Sequence, residues 1–158
     1  KPANILIDRD GRARIVADGL YFANGLALDR GEAFLYVANT MRMNIMRYRI
    51  AGDGSLGPAE LFGPSPLTAQ GFPDGIAFDE AGNLWIAFPQ RNAVGYLTPA
   101  GELVMYLEDP QRTIFQRPAN ICFGGQDRRT AFIGNLDGTT IPYFQAPHPG
   151  LRLIHQRS

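Results

Sequence analysis

The segment Gly71-Phe72-Pro73-Asp74-Gly75-Ile76-Ala77-Phe78-Asp79 repeats, without a gap, an earlier one: Tyr21-Phe22-Ala23-Asn24-Gly25-Leu26-Ala27-Leu28-Asp29. Both fit the frame Phe-x-Asn/Asp-Gly-apolar-Ala-apolar-Asp. A looser third copy is Arg117-Pro118-Ala119-Asn120-Ile121-Cys122-Phe123-Gly124-Gly125. Asn24 and Asp74 stand 50 positions apart, and Asp74 and Asn120 stand 46 apart. Repetition at this period decides the fold, because about 40–50 residues is the length of one four-stranded propeller blade.

The segments between the copies support that reading. After the first copy come Phe34-Leu35-Tyr36-Val37-Ala38, then the alternating run Asn44-Ile45-Met46-Arg47-Tyr48-Arg49-Ile50, then Glu60-Leu61-Phe62. After the second come Leu84-Trp85-Ile86-Ala87-Phe88, Ala93-Val94-Gly95-Tyr96-Leu97 and a strand over 102–107. The third continues through 131–134, 141–144 and 151–155. Ahead of them all, Ile5-Leu6-Ile7 and Ala13-Arg14-Ile15-Val16 flank the turn Asp8-Arg9-Asp10-Gly11 and read as a hairpin. No window of ten residues carries a helical period. The expectation is an all-β chain of the six-bladed β-propeller type, holding about three and a half four-stranded blades. Residues 1–18 form the outer half of a blade, and 19–63, 71–108 and 117–158 form three more. Such a chain exposes a strand edge and apolar blade faces. The expected covering is further blades preceding Lys1, or another chain.

Composition narrows the function. Of 158 residues, 45% are apolar, enough for a core, and 15 basic residues balance 15 acidic ones. With the basic residues scattered, neither nucleic acid nor a membrane is an expected partner. Eighteen glycines and twelve prolines spread between short apolar runs mark many turns. The single cysteine excludes an internal disulfide framework and suits a reducing compartment.

In a propeller the innermost strands line the channel, and residues just ahead of them converge at its mouth. Asn24, Asp74 and Asn120 hold equivalent positions there. Two amide oxygens and a carboxylate are ingredients of a hard-cation site. Gly25 and Gly75 are expected to let the chain turn sharply. Asn120 lacks the following glycine. The same dipeptides are ordinary turn signals, and Asp10-Gly11, Asp18-Gly19, Asp53-Gly54 and Asp137-Gly138 are read as turns only.

With these residues in hand, the chain resembles the regucalcin (senescence marker protein), gluconolactonase and luciferin-regenerating enzyme family. The likeness lies in Ala23-Asn24-Gly25-Leu26-Ala27, Leu35-Tyr36-Val37-Ala38-Asn39-Thr40, Pro73-Asp74-Gly75-Ile76-Ala77, Gly82-Asn83-Leu84-Trp85-Ile86-Ala87 and Cys122-Phe123-Gly124-Gly125. Asn39-Thr40 departs from the family's usual Asp-Thr. The resemblance implies a divalent metal near the axis, Ca2+ or else Zn2+, Mn2+ or Mg2+, and hydrolysis of small-molecule sugar lactones. It implies Asn24 and Asp74 as metal ligands, with Asp74 also positioning or deprotonating the attacking water. A further Glu ligand would precede Lys1. The alternatives are an enzyme of the strictosidine-synthase-like kind, which shares Phe-Ala-Asn-Gly-Leu-Ala-Leu, and a propeller binding module or inactive fragment without turnover.

Other signals carry less. Gly52-Asp53-Gly54-Ser55-Leu56-Gly57 matches a dinucleotide fingerprint but opens no helix, so it reads as a turn. His148 and His155 lack a nearby Ser or Cys for a triad. Cys122, between Ile121 and Phe123, is expected to be a buried inert thiol. Phe22 and Phe72 are expected in structural roles, and Trp85 between blades.

Overall fold

In the computed structural model, residues 3–7 and 11–152 are described. They form thirteen strands: β1 (Ala3–Ile7), β2 (Ala13–Asp18), β3 (Ala23–Leu28), β4 (Phe34–Asn39), β5 (Asn44–Arg49), β6 (Glu60–Phe62), β7 (Ile76–Phe78), β8 (Leu84–Phe88), β9 (Ala93–Leu97), β10 (Leu103–Glu108), β11 (Pro118–Gly124), β12 (Thr130–Asn135) and β13 (Tyr143–Gln145). A 3-10 turn over Thr40–Arg42 is the one helical element among the described residues. None of it is long and apolar enough to cross a membrane.

The strands make antiparallel sheets in sequence order: the hairpin β1-β2, blade one β3-β4-β5-β6, blade two β7-β8-β9-β10, and blade three β11-β12-β13. This is an all-β fold of the propeller type. Short apolar runs broken by Gly and Asp turns can pair only with their neighbours in sequence, which is why each blade is a meander. The turns behave as turns: Gly11, Gly19, Gly54 and Gly138 all take positive φ, between 75° and 83°. The fingerprint-like loop at 52–57 is closed by a bridge between Ile50 and Leu56.

Burial separates the central blade from its flanks. Every residue of β8 is buried, because blade two is covered on both faces. On one side Tyr36 of blade one meets Phe62 and Phe78 edge-on, at ring distances of 5.1 and 4.9 Å, within a cluster that includes Ile45, Ile76, Leu84 and Ile86. On the other side Trp85, fully buried as expected, packs between blades with Phe123 (6.0 Å) and Phe144 (5.7 Å) of blade three. The outer hairpin covers blade one only in part. Ala17 joins Val37 and Tyr48, whereas Leu26 and Leu28 on the innermost strand stay exposed.

Among the described residues blade three has three strands. After β13 the chain crosses back toward blade two, where Gly150 bridges Asp79 and the Leu151 amide donates to the Phe78 carbonyl (2.9 Å). Phe123 sits against Gly150 so closely that a Cβ there would overlap it. Residues 153–155 of the expected strand, His155 included, and the turn at 8–10 lie outside the described residues. Cys122 is exposed, a correction to its expected burial. It alternates with Ile121 on β11, and only the Ile121 face meets the Trp85 cluster.

The closing Asp of the repeated frame is structural. Asp79 is buried, and its carboxylate accepts from the Ala81 and Asn83 amides (both 2.9 Å), Asn83 Nδ2 (2.8 Å) and Trp85 Nε1 (2.9 Å). Asp29 does the same more simply, accepting from Ala33 and Phe34. Beside them Glu80 pairs with Arg30 of blade one and Arg128 of blade three (2.8 Å), tying three blades at the end away from the mouth.

Two outcomes are expected. Asp79→Ala strands four donors and should cost about 2–4 kcal/mol, read as a lower denaturant midpoint with an unchanged slope. Asp109 supplies a pH signature. Burial pushes its carboxyl up, but the amides of Ile114, Thr113 and Phe115 and the Thr113 hydroxyl outweigh that and hold it at about 2. A carboxyl depressed in the fold stabilises it above the ordinary value of about 3.9 and stops doing so as pH falls through about 2. Asp109→Asn should therefore flatten the loss of stability between about pH 4 and 2 in acid-unfolding curves.

Candidate functional site

The Asp74-Gly75 dipeptide joins three blades through its backbone. The Asp74 amide donates to Ala87 of its own blade (3.0 Å), and the Asp74 carbonyl accepts from the Gly25 amide of blade one (3.1 Å). The Gly75 amide donates to Ala119 of blade three (2.7 Å), and the Gly75 carbonyl accepts from Ala87 (3.0 Å). Adjacent innermost strands therefore touch at the mouth end.

This contact corrects the expected role of the glycines. Neither Gly25 nor Gly75 has positive φ, so neither is there to make a turn. A Cβ on Gly25 would collide with the Asp74 carbonyl and come within 2.8 Å of the Ile76 nitrogen. A Cβ on Gly75 would collide with Asn120 Oδ1 and reach the Ala119 carbonyl at 2.7 Å. Each glycine is the space through which the next blade approaches.

The same approach gathers the three predicted residues. Asn24, half-buried, interacts with the Asp74 side chain across the boundary between blades one and two. Facing a carboxylate, the Asn24 amide nitrogen is the donor, which leaves its oxygen available. Asn120 sits on the far side of Gly75, its Oδ1 accepting from the Ile121 amide (2.9 Å). Burial pushes the Asp74 carboxyl above its usual range, and the Asn24 amide opposes that only in part. A carboxylate short of solvent and of cationic partners is stabilised by any cation that reaches it.

As donors these groups fit part of a hard-cation site: a carboxylate beside an amide whose oxygen is left over, with a second amide next to them. No group of three His, Cys, Asp or Glu side chains that could hold a metal occurs among the described residues.

The lip of the mouth holds what the sequence did not reveal. Phe22, expected in a structural role, is 62% exposed and takes φ 61°, an unusual conformation for an aromatic residue. Phe72 is half-buried. The Phe22 turn is held by Asn39 Oδ1, which accepts from the Tyr21 amide (2.7 Å), and by the Thr40 amide on the Phe22 carbonyl (3.1 Å). The departure from the usual Asp-Thr pair was the one sequence signal at this place. His148 is exposed.

Blades meeting through glycines, with an amide–carboxylate pair across the first boundary, define a β-propeller with a polar channel mouth. Residues 2–136 match the model of the SMP-30/gluconolactonase/LRE-like region, and the chain belongs to that family. It is 33% identical over 127 residues to a 6-deoxy-6-sulfogluconolactonase of Pseudomonas putida, covering 80% of this chain and 42% of the relative. Among solved structures, a gluconolactonase of Xanthomonas campestris superposes with a TM-score of 0.73 at 26% identity, over 92% of this chain and 44% of that one. A strictosidine synthase-like protein of Arabidopsis thaliana is 32% identical over 91 residues, 57% of this chain and 23% of its own. The chain thus spans less than half the length of each of these three relatives.

Because the glycines act by close approach, Gly75→Ala should force blades two and three apart. A loss of about 2–4 kcal/mol is expected, read as a lower urea midpoint, together with faster hydrogen exchange at the amide of residue 75.

Proposed function

We propose that this chain carries the Asn24–Asp74 part of a metal-dependent sugar lactone hydrolase. The carrying observation is the contact of the Asn24 amide with a half-buried carboxyl pushed above its usual range by burial. The lactonase names of the Pseudomonas and Xanthomonas relatives supply the substrate class.

Asp74 and the Asn24 oxygen would hold a divalent cation, Ca2+ foremost among them, with Asn120 as an outer member. When bound, the ion supplies Lewis-acid polarisation of the lactone carbonyl and acidifies water at the site. The chain's own work is then to orient and to move protons. Asp74 takes a proton from the attacking water, whose oxygen bonds to the carbonyl carbon as the ring C–O bond breaks and the leaving oxygen is protonated. Asn24 fixes the Asp74 carboxyl through its amide N–H. The innermost strands keep both groups at one depth.

The exposed Leu26 and Leu28, left bare where the hairpin stops, support a partner of propeller strands completing that blade, from a longer chain or a second one. One observation favours the second enzyme reading, the strictosidine-synthase-like relative. An enzyme of that kind is expected to act without the same metal chemistry, so metal dependence separates the two.

The test uses the full-length protein and gluconolactone. Chelation should abolish hydrolysis and added Ca2+, Mn2+ or Zn2+ should restore it. Asp74→Asn should lower kcat/KM by at least about a hundredfold. Hydrolysis indifferent to both treatments would overturn the reading.

A further inference from the structure

We propose that Thr40 is a positioning residue for Asp74, acting through the peptide that joins Pro73 to Asp74. This rests on the reading of Asp74 as the reacting carboxylate. Thr40 touches the approach to both site residues. Its amide donates to the Phe22 carbonyl (3.1 Å), two residues before Asn24, and its hydroxyl donates to the Pro73 carbonyl (2.7 Å), one residue before Asp74.

The second bond has a specific mechanical effect. A peptide unit is planar, so fixing its oxygen and its N–H fixes the whole plate. Thr40 Oγ1 holds the oxygen end of the Pro73–Asp74 peptide from blade one, and the Ala87 carbonyl holds its N–H end from within blade two (3.0 Å). Pro73 is fully buried and its ring limits φ, so the plate has little other freedom. The direction of the Asp74 side chain toward Asn24 follows from that plate.

Equivalent positions in the other blades lack this device. In blade three the Leu136 amide donates to the Arg117 carbonyl, repeating the backbone half of the clamp, and Asn135 Oδ1 accepts from the Gln116 amide (3.2 Å) as Asn39 does from Tyr21. Leu136 has no hydroxyl. In blade two the position is Pro89, with neither hydroxyl nor N–H. The cross-blade hydroxyl bond therefore occurs, among the described residues, at the one boundary where the next repeat carries a carboxylate. Thr40 also leads a 3-10 turn closed by Met43, whose carbonyl accepts from the Leu67 amide (2.7 Å), so it is itself held in place.

The experiment compares wild type, Thr40→Val, Thr40→Ala, Thr40→Ser and Asp74→Asn in the full-length protein, measuring kcat, KM and thermal unfolding with gluconolactone. Thr40→Val keeps shape and removes the hydroxyl. It should lower kcat about tenfold with KM within about twofold, and Thr40→Ser should recover most of the loss. Should Thr40→Val fail to fold, Thr40→Ala carries the same comparison. An inactive Asp74→Asn beside a fully active Thr40→Val overturns the positioning role and leaves the site intact. A loss in Thr40→Val that Thr40→Ser does not recover also overturns it, because packing and not the hydroxyl is then at work. An active Asp74→Asn overturns the reading of the site itself, and the role of Thr40 with it.

Discussion

Everything at the channel mouth depends on backbone meeting backbone between blades. Propeller blades commonly meet through side chains, and here they do so over most of their area, through the Tyr36–Phe78 and Trp85–Phe123 clusters. At one level the side chains are absent and the main chains bond directly, Gly25 to Asp74 and Gly75 to Ala119. Apolar packing sets how the blades face each other, but it tolerates sliding. A direct amide–carbonyl bond does not, since its energy falls steeply with misalignment. The apolar clusters supply most of the stability, and the glycine contacts supply the alignment that brings Asn24 onto Asp74.

The opposite end is fastened by different chemistry. There Glu80 lies between Arg30 and Arg128, whose hydrogen bonds hold its carboxyl below the usual range. The returning segment at 149–151 is threaded beside them, with the Gly150 amide donating to the Arg128 carbonyl and the Arg128 guanidinium donating to the Gly150 carbonyl. Arg30 is largely exposed, so screening keeps this end adaptable. The two ends divide the labour. Neutral short-range bonds fix the mouth, where position matters to within fractions of an ångström. Charged contacts gather the base.

Much of this was legible in the sequence because a blade is a local object. Strand pairing, the placing of Trp85 and the register of the three repeated Asn/Asp positions all follow from the repeat and its period. What was misread concerns how one blade meets the next. Asn24-Gly25 and Asp53-Gly54 look alike on paper, yet only Gly54 needs positive φ, while Gly25 needs an absent Cβ. The longer frame around Asn24 was the available clue, since a turn needs two residues and not nine. Cys122 was judged by its apolar neighbours in sequence and Phe22 by its aromatic character, but exposure on a blade depends on which face another blade covers. Thr40 could not be singled out, because its partner lies 33 residues away in the next repeat.

The bond from Gly25 to Asp74 also bears on how this protein ages. An asparagine followed by glycine is the sequence most prone to spontaneous deamidation, in which the following backbone nitrogen attacks the side-chain carbonyl to close a succinimide ring. At Asn24 that nitrogen is engaged with the Asp74 carbonyl, and the side-chain amide is engaged with the Asp74 carboxyl. Both reacting groups are thus engaged by the same neighbouring residue. The arrangement that assembles the polar mouth also shields its amide from conversion to a carboxylate, which would set a second negative charge against Asp74.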